Sequence, residues 1–277
     1  MLRLYDTRTR EMEEIVPVRR GQLRMDARGL AVDRDAHVGV LRTLLLPDLV
    51  RRIAELDDLR VTIAGALADA FSRDTMELNI LPAEVSPRTS QPADLLVDLD
   101  SPHDEAEGAR PEPATGRDVA PRRVRTGHLL FEGRTMATSA GASAGDAVLL
   151  SDVSARGLDP LALRLALLGH GYRQRAELTW DDLHATDKAL ARWRDTVAAW
   201  AESPSAPMSD TYVREAVRAL DEDLDTPRAL RVVRRLEEDG TVAPGAKFET
   251  LAYLDRVLGL DLARDVGKPR RSPQPPA

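Results

Sequence analysis

The first third of the chain switches between two spacings of apolar positions. Leu2–Tyr5 and Leu23–Met25 are short runs with strand character, and Gly29–Val32 reads as a further strand. From Val38 to Leu56 the spacing lengthens, and Leu41, Leu44, Leu45, Leu49, Val50 and Ile53 fall on one face of a helix. Leu59–Ile63 returns to a strand-like run, so this stretch predicts a β-α-β unit and with it a parallel sheet. The run LLVDLD, Leu95–Asp100, predicts another strand. Ser101–Arg125 is rich in Pro, Arg and Glu and has almost no large apolar residues, which predicts a loop or a weakly held helix.

Beyond Ser151 the spacing is helical. Asp159-Pro160 offers an N-cap and a first-turn proline ahead of LALRLALLGH. Thr179 caps a longer helix carrying Leu183, Leu190, Trp193, Val197 and Trp200. Ser209 opens another with Val213, Val217 and Leu220, and Thr226-Pro227 repeats the cap-plus-proline start of a helix closed by Gly240. The last carries Phe248, Leu251, Leu254 and Leu258 and stops at Gly259. Short connections favour antiparallel packing in a bundle. The expected organisation is α/β: a parallel-sheet core in 1–150, an α-helical bundle in 151–262 and a disordered tail in 263–277.

Composition narrows the function classes. The 277 residues are 43% hydrophobic and 31% charged, which fits a globular chain of one or two domains. A net charge of −7 gives no general attraction to nucleic acid, and DNA is not an expected partner. With no cysteine there is no disulfide, thiolate metal site or thiol chemistry. The charged start MLRLYDTRTREMEE has no apolar signal core, which together with the lack of cysteine points to the cytoplasm. No apolar run approaches the roughly 20 residues that cross a bilayer. Leu158–Leu168 is interrupted by Asp159, Pro160 and Arg164, so no membrane role is expected.

One stretch has the look of chemistry: FEGRTMATSAGAS, Phe131–Ser143. It has the small hydroxylated residues of a phosphate-handling loop, and Arg134 is its only basic residue.

Set beside its neighbours, this stretch resembles part of a known family. LRLYDTRTRE resembles the opening strand of cysteinyl-tRNA synthetase and of its actinobacterial relative, the mycothiol-pathway cysteine ligase. GQLRMDARGLAVDRDAHVGVLRT, Gly21–Thr43, resembles the segment carrying the HIGH motif, and ELNILPAEVSPRTS, Glu77–Ser90, the segment after the first half of the nucleotide fold. SPHDEAEGARPEPATGR, Ser101–Arg117, is similar to the PHHENE segment. GHLLFEGRTMATSAGA, Gly127–Ala142, takes the place of the KMSKS loop. The segments from Leu158 and Leu220 resemble the helical domain behind that loop. The order of these pieces over most of 1–262 carries the resemblance. It implies a class I synthetase-like nucleotide-binding core, truncated, followed by the bundle, in a family that activates cysteine with ATP. The family's insertion, with a zinc-ligating cysteine, is missing near 90–94, and no separate anticodon-binding domain follows.

Site residues follow position by position from the resemblance. The HIGH position reads His37-Val38-Gly39-Val40, keeping the first histidine and the glycine and losing the second histidine. His37 is then either a vestigial ATP donor or simply a helix-start histidine. The KMSKS positions are Thr135, Met136, Ala137, Thr138 and Ser139, without either lysine, and hydroxyls bring no positive charge to pyrophosphate. Arg134, one residue early, is the candidate substitute. Of the implied zinc ligands, His103 and Glu107 remain, Arg28 replaces a cysteine, and two ligands do not make a stable zinc site. An Arg28–Glu107 ion pair in place of the metal is the alternative. Asp98, Asp100, Asp104 and Glu105 form an acidic cluster that is either a cation site or solvated, and Arg122, Arg123 and Arg125 are either phosphate contacts or a charged face. His128, His170 and His184 have no second ligand in evident register.

The expectation is therefore a synthetase-like protein with degenerate motifs and no zinc. It is expected not to be catalytic and to act by binding a protein partner, a nucleotide or tRNA. The alternative is an ATP-dependent amino-acid activating enzyme or ligase of altered substrate that still binds ATP.

Overall fold

The computed structural model describes residues 1–28, 37–65, 73–80, 84–85, 93–99, 122–136 and 147–268. The Gly29–Val32 strand lies outside these residues. Strands β1 (Arg3–Asp6) and β2 (Glu11–Glu14) form an antiparallel hairpin. Strand β3 (Gln22–Arg28) leads to helix α1 (Val38–Leu56), then β4 (Arg60–Gly65), α2 (Arg73–Glu77), β5 (Glu84–Val85), β6 (Leu95–Asp98) and β7 (Arg122–Arg125). The sheet is parallel throughout, in the order β5-β4-β3-β6-β7.

The period-two pattern decides what the sheet buries. Leu23, Met25 and Ala27, with Val61, Ile63, Leu95, Val97 and Val124, turn to one face and join the core with Leu41, Leu44 and Leu45 of α1. Arg24, Asp26, Asp98, Arg123 and Arg125 alternate with them and are half-buried. The predicted β-α-β unit is thus observed, with α1 over the predicted span.

One expectation is corrected here. Arg122–Arg125 is a strand, not a loop or weak helix. RRVR has a single apolar residue, so pattern alone does not reveal it. The ladder with β6 supplies its backbone bonds, and carboxylates take its charges: Arg122 pairs with Glu13, and Arg123 and Arg125 with Asp98. Residues 101–121 lie outside the described residues.

Strand β8 (Leu129–Phe131) turns back as β9 (Arg134–Thr135) through Glu132 and Gly133, at φ 50 and 75°. Two successive positive φ values mark a tight hairpin turn of the type that glycine favours. After α3 (Leu150–Ala155) and α4 (Pro160–Leu168), β10 (Ala176–Leu178) joins β8 in parallel. Helices α5 (Trp180–Ala201), α6 (Asp210–Asp221), α7 (Thr226–Glu238) and α8 (Pro244–Leu258) complete the chain. Asp159 caps α4 by accepting the Leu161 N–H, and Thr179 with Asp182 forms a capping box on α5. The cap of α7 is Asp225, one residue before the predicted Thr226. Thr226 instead donates its hydroxyl to the Leu168 carbonyl. Gly259 stops α8 at φ 64°. In the predicted tail, residues 263–268 run as turns, with Arg264 on Asp159 and Lys268 on Asp265.

A buried charged cluster ties α1 to α4 and α8. Arg164 is fully buried and donates to Asp48 (2.8 Å), the Leu258 carbonyl (2.6 Å) and the Leu78 carbonyl (3.1 Å). Arg52 donates to the other side of the cluster, at Asp48 (2.9 Å) and the carbonyls of Arg256 and Asn79. Three guanidinium groups hold the Asp48 carboxyl below its usual range against the opposing push of its burial.

No helix among the described residues is long and apolar enough to cross a membrane.

Candidate functional site

The strand order locates the site. The chain moves outward from β3 through β4 to β5, then returns to the other side of β3 as β6. This reversal is a topological switch point at the carboxyl ends of β3 and β6, the place where open parallel sheets bind ligands in a crevice. Arg28, Asp98 and Arg125 end their strands in register across it. Asp98 accepts from Arg125 Nε at 2.7 Å and lies 3.1 Å from Arg123 Nε. Asp98 is therefore not part of a solvated acidic cluster, and the guanidiniums of Arg123 and Arg125 are spent on it rather than on a free charged face. Asp100, Asp104 and Glu105 lie outside the described residues.

Helix α1 begins beside this crevice, and its first amides are already occupied. His37 is the N-cap, and its Nδ1 accepts the Gly39 N–H at 3.2 Å. The Val38 N–H donates to the Val148 carbonyl at 2.9 Å. Unpaired amides are what make a helix start attract phosphate. Val40, in place of the motif's second histidine, packs on the core.

The hairpin-borne loop closes on the same point. A Cβ on Gly39 would lie 2.5 Å from the Met136 carbonyl and 2.9 Å from the Met136 Cβ. Glycine at 39 is thus required by backbone contact with residue 136, and Met136 is buried. Arg134 and Thr135 are exposed on β9. Of the predicted nucleotide-handling set, the structure brings together His37, Gly39 and Met136. Thr138 and Ser139 lie outside the described residues.

Arg42, one turn along α1, was not singled out from sequence. Its buried guanidinium donates to the carbonyls of His128, Gly171, Tyr172 and Gln174. It fixes β8 and the turn after α4 against the start of α1. An arginine among leucines on a buried helix face was the signal available. His170, in that turn, has its pKa lowered by burial and then by the Arg42 charge. The His128 Nδ1 is buried, and His184 is exposed on α5.

The implied zinc positions lie almost wholly outside the described residues. Arg28 is the end of β3, His103 and Glu107 lie outside the described residues, and no three His, Asp or Glu among the described residues converge on a metal position. With no cysteine in the chain, thiolate ligands do not exist. The thiolate ligands that the resemblance implied are therefore absent from the chain.

A parallel sheet reversing between β3 and β6, a helix starting after β3, and a hairpin-borne loop seated on that start define a class I synthetase-like core. Relatives agree with this. Three proteins described as L-cysteine:1D-myo-inositol 2-amino-2-deoxy-alpha-D-glucopyranoside ligase match the chain. The one from Thermomonospora curvata is 37% identical over 171 residues, 60% of this chain and 39% of the relative. That from Acidothermus cellulolyticus is 34% identical over 166 residues, 60% of this chain and 39% of the relative. That from Rhodococcus jostii is 37% identical over 172 residues, 60% of this chain and 40% of the relative. The chain is related to these cysteine ligases, as the resemblance implied, and spans about two fifths of their length. No protein-family model matches it.

Proposed function

We propose that this protein is a synthetase-like scaffold that does not form an adenylate and acts by binding a partner protein. The observation that carries this reading is the occupied start of α1. Its Gly39 N–H is held by the His37 ring, its Val38 N–H by the Val148 carbonyl, and the Met136 backbone lies against Gly39. A phosphate placed there would have to displace the protein's own acceptors.

Charge supports the same reading. The two lysines implied for the loop are Thr135 and Thr138, and Arg134 is exposed. Loss of one preorganised donor to a developing charge typically costs about 3 kcal/mol, a factor of roughly a hundred in rate. Loss of both lysines, the second histidine and the thiolate ligands leaves little of the cysteine-activating machinery. The vestigial nucleotide-binding residues are His37, Gly39, Arg134, Thr135, Met136, Thr138 and Ser139, and the vestigial zinc positions Arg28, His103 and Glu107. On this reading the sheet core of 1–150 and the bundle of 151–262 persist as a platform in the cytoplasm.

The test is pyrophosphate exchange with ATP and each of the twenty amino acids. No exchange above the protein-free rate is expected. Exchange with any amino acid that disappears in Arg134→Ala would establish the ligase alternative.

A further inference from the structure

The outer surface of the bundle carries a charge pattern opposite to that of the molecule. Helix α7 buries Ala229, Leu230, Val232, Val233 and Leu236. Its other face shows solvent Arg228, Arg231, Arg234 and Arg235. Helix α6 lies beside it, with the register set by Arg235 on Glu215 at 2.7 Å, and adds the exposed Arg218. Arg214 is within 3.9 Å of Asp210. The carboxylates that might neutralise the stripe are engaged elsewhere: Asp221 by the N-terminal ammonium, Glu222 by Arg3, and Glu237 by the Trp193 indole N–H. Among the described residues, Arg218, Arg228, Arg231 and Arg234 form no ion pair with a carboxylate, while Glu238 on α7 and Asp210 on α6 are exposed acids of the same surface.

We infer that this face docks an acidic helical segment of a partner protein. The inference rests on the reading of the chain as a binding scaffold and names the partner's chemistry. Arg228 and Arg234 are about 9 Å apart along the axis, two helical turns less a little, so carboxylates repeating every three or four residues on a facing helix meet them in turn. A guanidinium grips a carboxylate through two parallel N–H bonds, which suits arginine to this role. Nucleic acid fits less well. The molecule as a whole carries a net charge of −7, and Tyr212 on α6 sits beneath Arg235 with its hydroxyl donating to Asp239. Base stacking on single-stranded nucleic acid uses aromatic faces, and one face of this ring is turned to Arg235.

The experiment uses the full chain and a synthetic helical peptide of about 20 residues, alanine-based, with glutamates at i, i+3 and i+7. Binding is measured by titration calorimetry at about 50 mM and about 500 mM salt, with an RNA duplex as the second probe. Two triple variants are compared: R228E/R231E/R234E on the stripe, and R19E/R20E/R175E at exposed arginines elsewhere, each checked for folding by circular dichroism. The expected result is peptide binding that weakens about tenfold or more in the stripe variant and under about twofold in the control. No peptide binding, equal loss in both variants, or stripe-dependent binding of the RNA but not the peptide would overturn the inference. Pyrophosphate exchange on the same preparations keeps the two readings separate: exchange activity with intact stripe binding refutes the scaffold reading alone, and absent exchange with no peptide binding refutes the docking face alone.

Discussion

Asp48 shows how much a single position can owe to residues far away in sequence. In the chain it is one acid inside an apolar helix pattern, and its partner Arg164 lies 116 residues on. No local spacing encodes that pairing, so the cluster is invisible until the helices are packed. Asp48→Ala leaves buried guanidiniums uncompensated and is expected to cost about 3–5 kcal/mol in urea unfolding. Gly39 is a different case. Its motif position was legible, but its reason was not: Gly39→Ala places a methyl against Met136 backbone and is expected to cost about 1–3 kcal/mol by the same measurement. His37 was readable as either a ligand or a helix-start residue, because sequence does not give a ring's direction. The structure gives one direction, toward the Gly39 N–H. His170 yields a pH test. Its folded pKa lies below the ordinary histidine value, so its contribution to stability is present above the unfolded value near 6.5 and is lost as pH falls from there through the folded pKa. His170→Gln should flatten the fall in stability between about pH 7 and pH 5, read from denaturant midpoints.

Elements with local signals were read from sequence with little error. Helices α1, α4, α5 and α6 begin at or near the expected residues and α8 stops at the expected Gly259, because N-caps, first-turn prolines and a terminal glycine are written into a few adjacent positions. The cap of α7 shifted by one residue because Asp225 and Thr226 are both capable acceptors, and packing gave Thr226 to the Leu168 carbonyl. Strands β2, β5, β7, β8, β9 and β10 went unread. Each has two to four residues, and their existence depends on partners distant in sequence rather than on their own alternation. Glycine stops provide a check at this scale. Gly259 sits at φ 64°, and a Cβ there meets the Arg164 guanidinium at 2.8 Å. Gly259→Ala should cost about 1–3 kcal/mol, whereas Gly240→Ala, with open space around it, should stay within about 0.5 kcal/mol.

For the whole molecule, the α/β class and the relation to the ligases were legible because ordered motif fragments survive along the chain. The state of the site was only half legible. Missing lysines and cysteines are visible as letters, but a helix start closed by His37, Val148 and Met136 exists only in three dimensions. The proposed scaffold reading rests on that closure. The direct test is an ATP titration of the isotope-labelled protein, read at the backbone amide resonances of Val38 and Gly39. Both should stay in place through millimolar ATP. A saturable shift of both, lost in Arg134→Ala, would mean that the helix start opens to phosphate and that the scaffold reading is wrong.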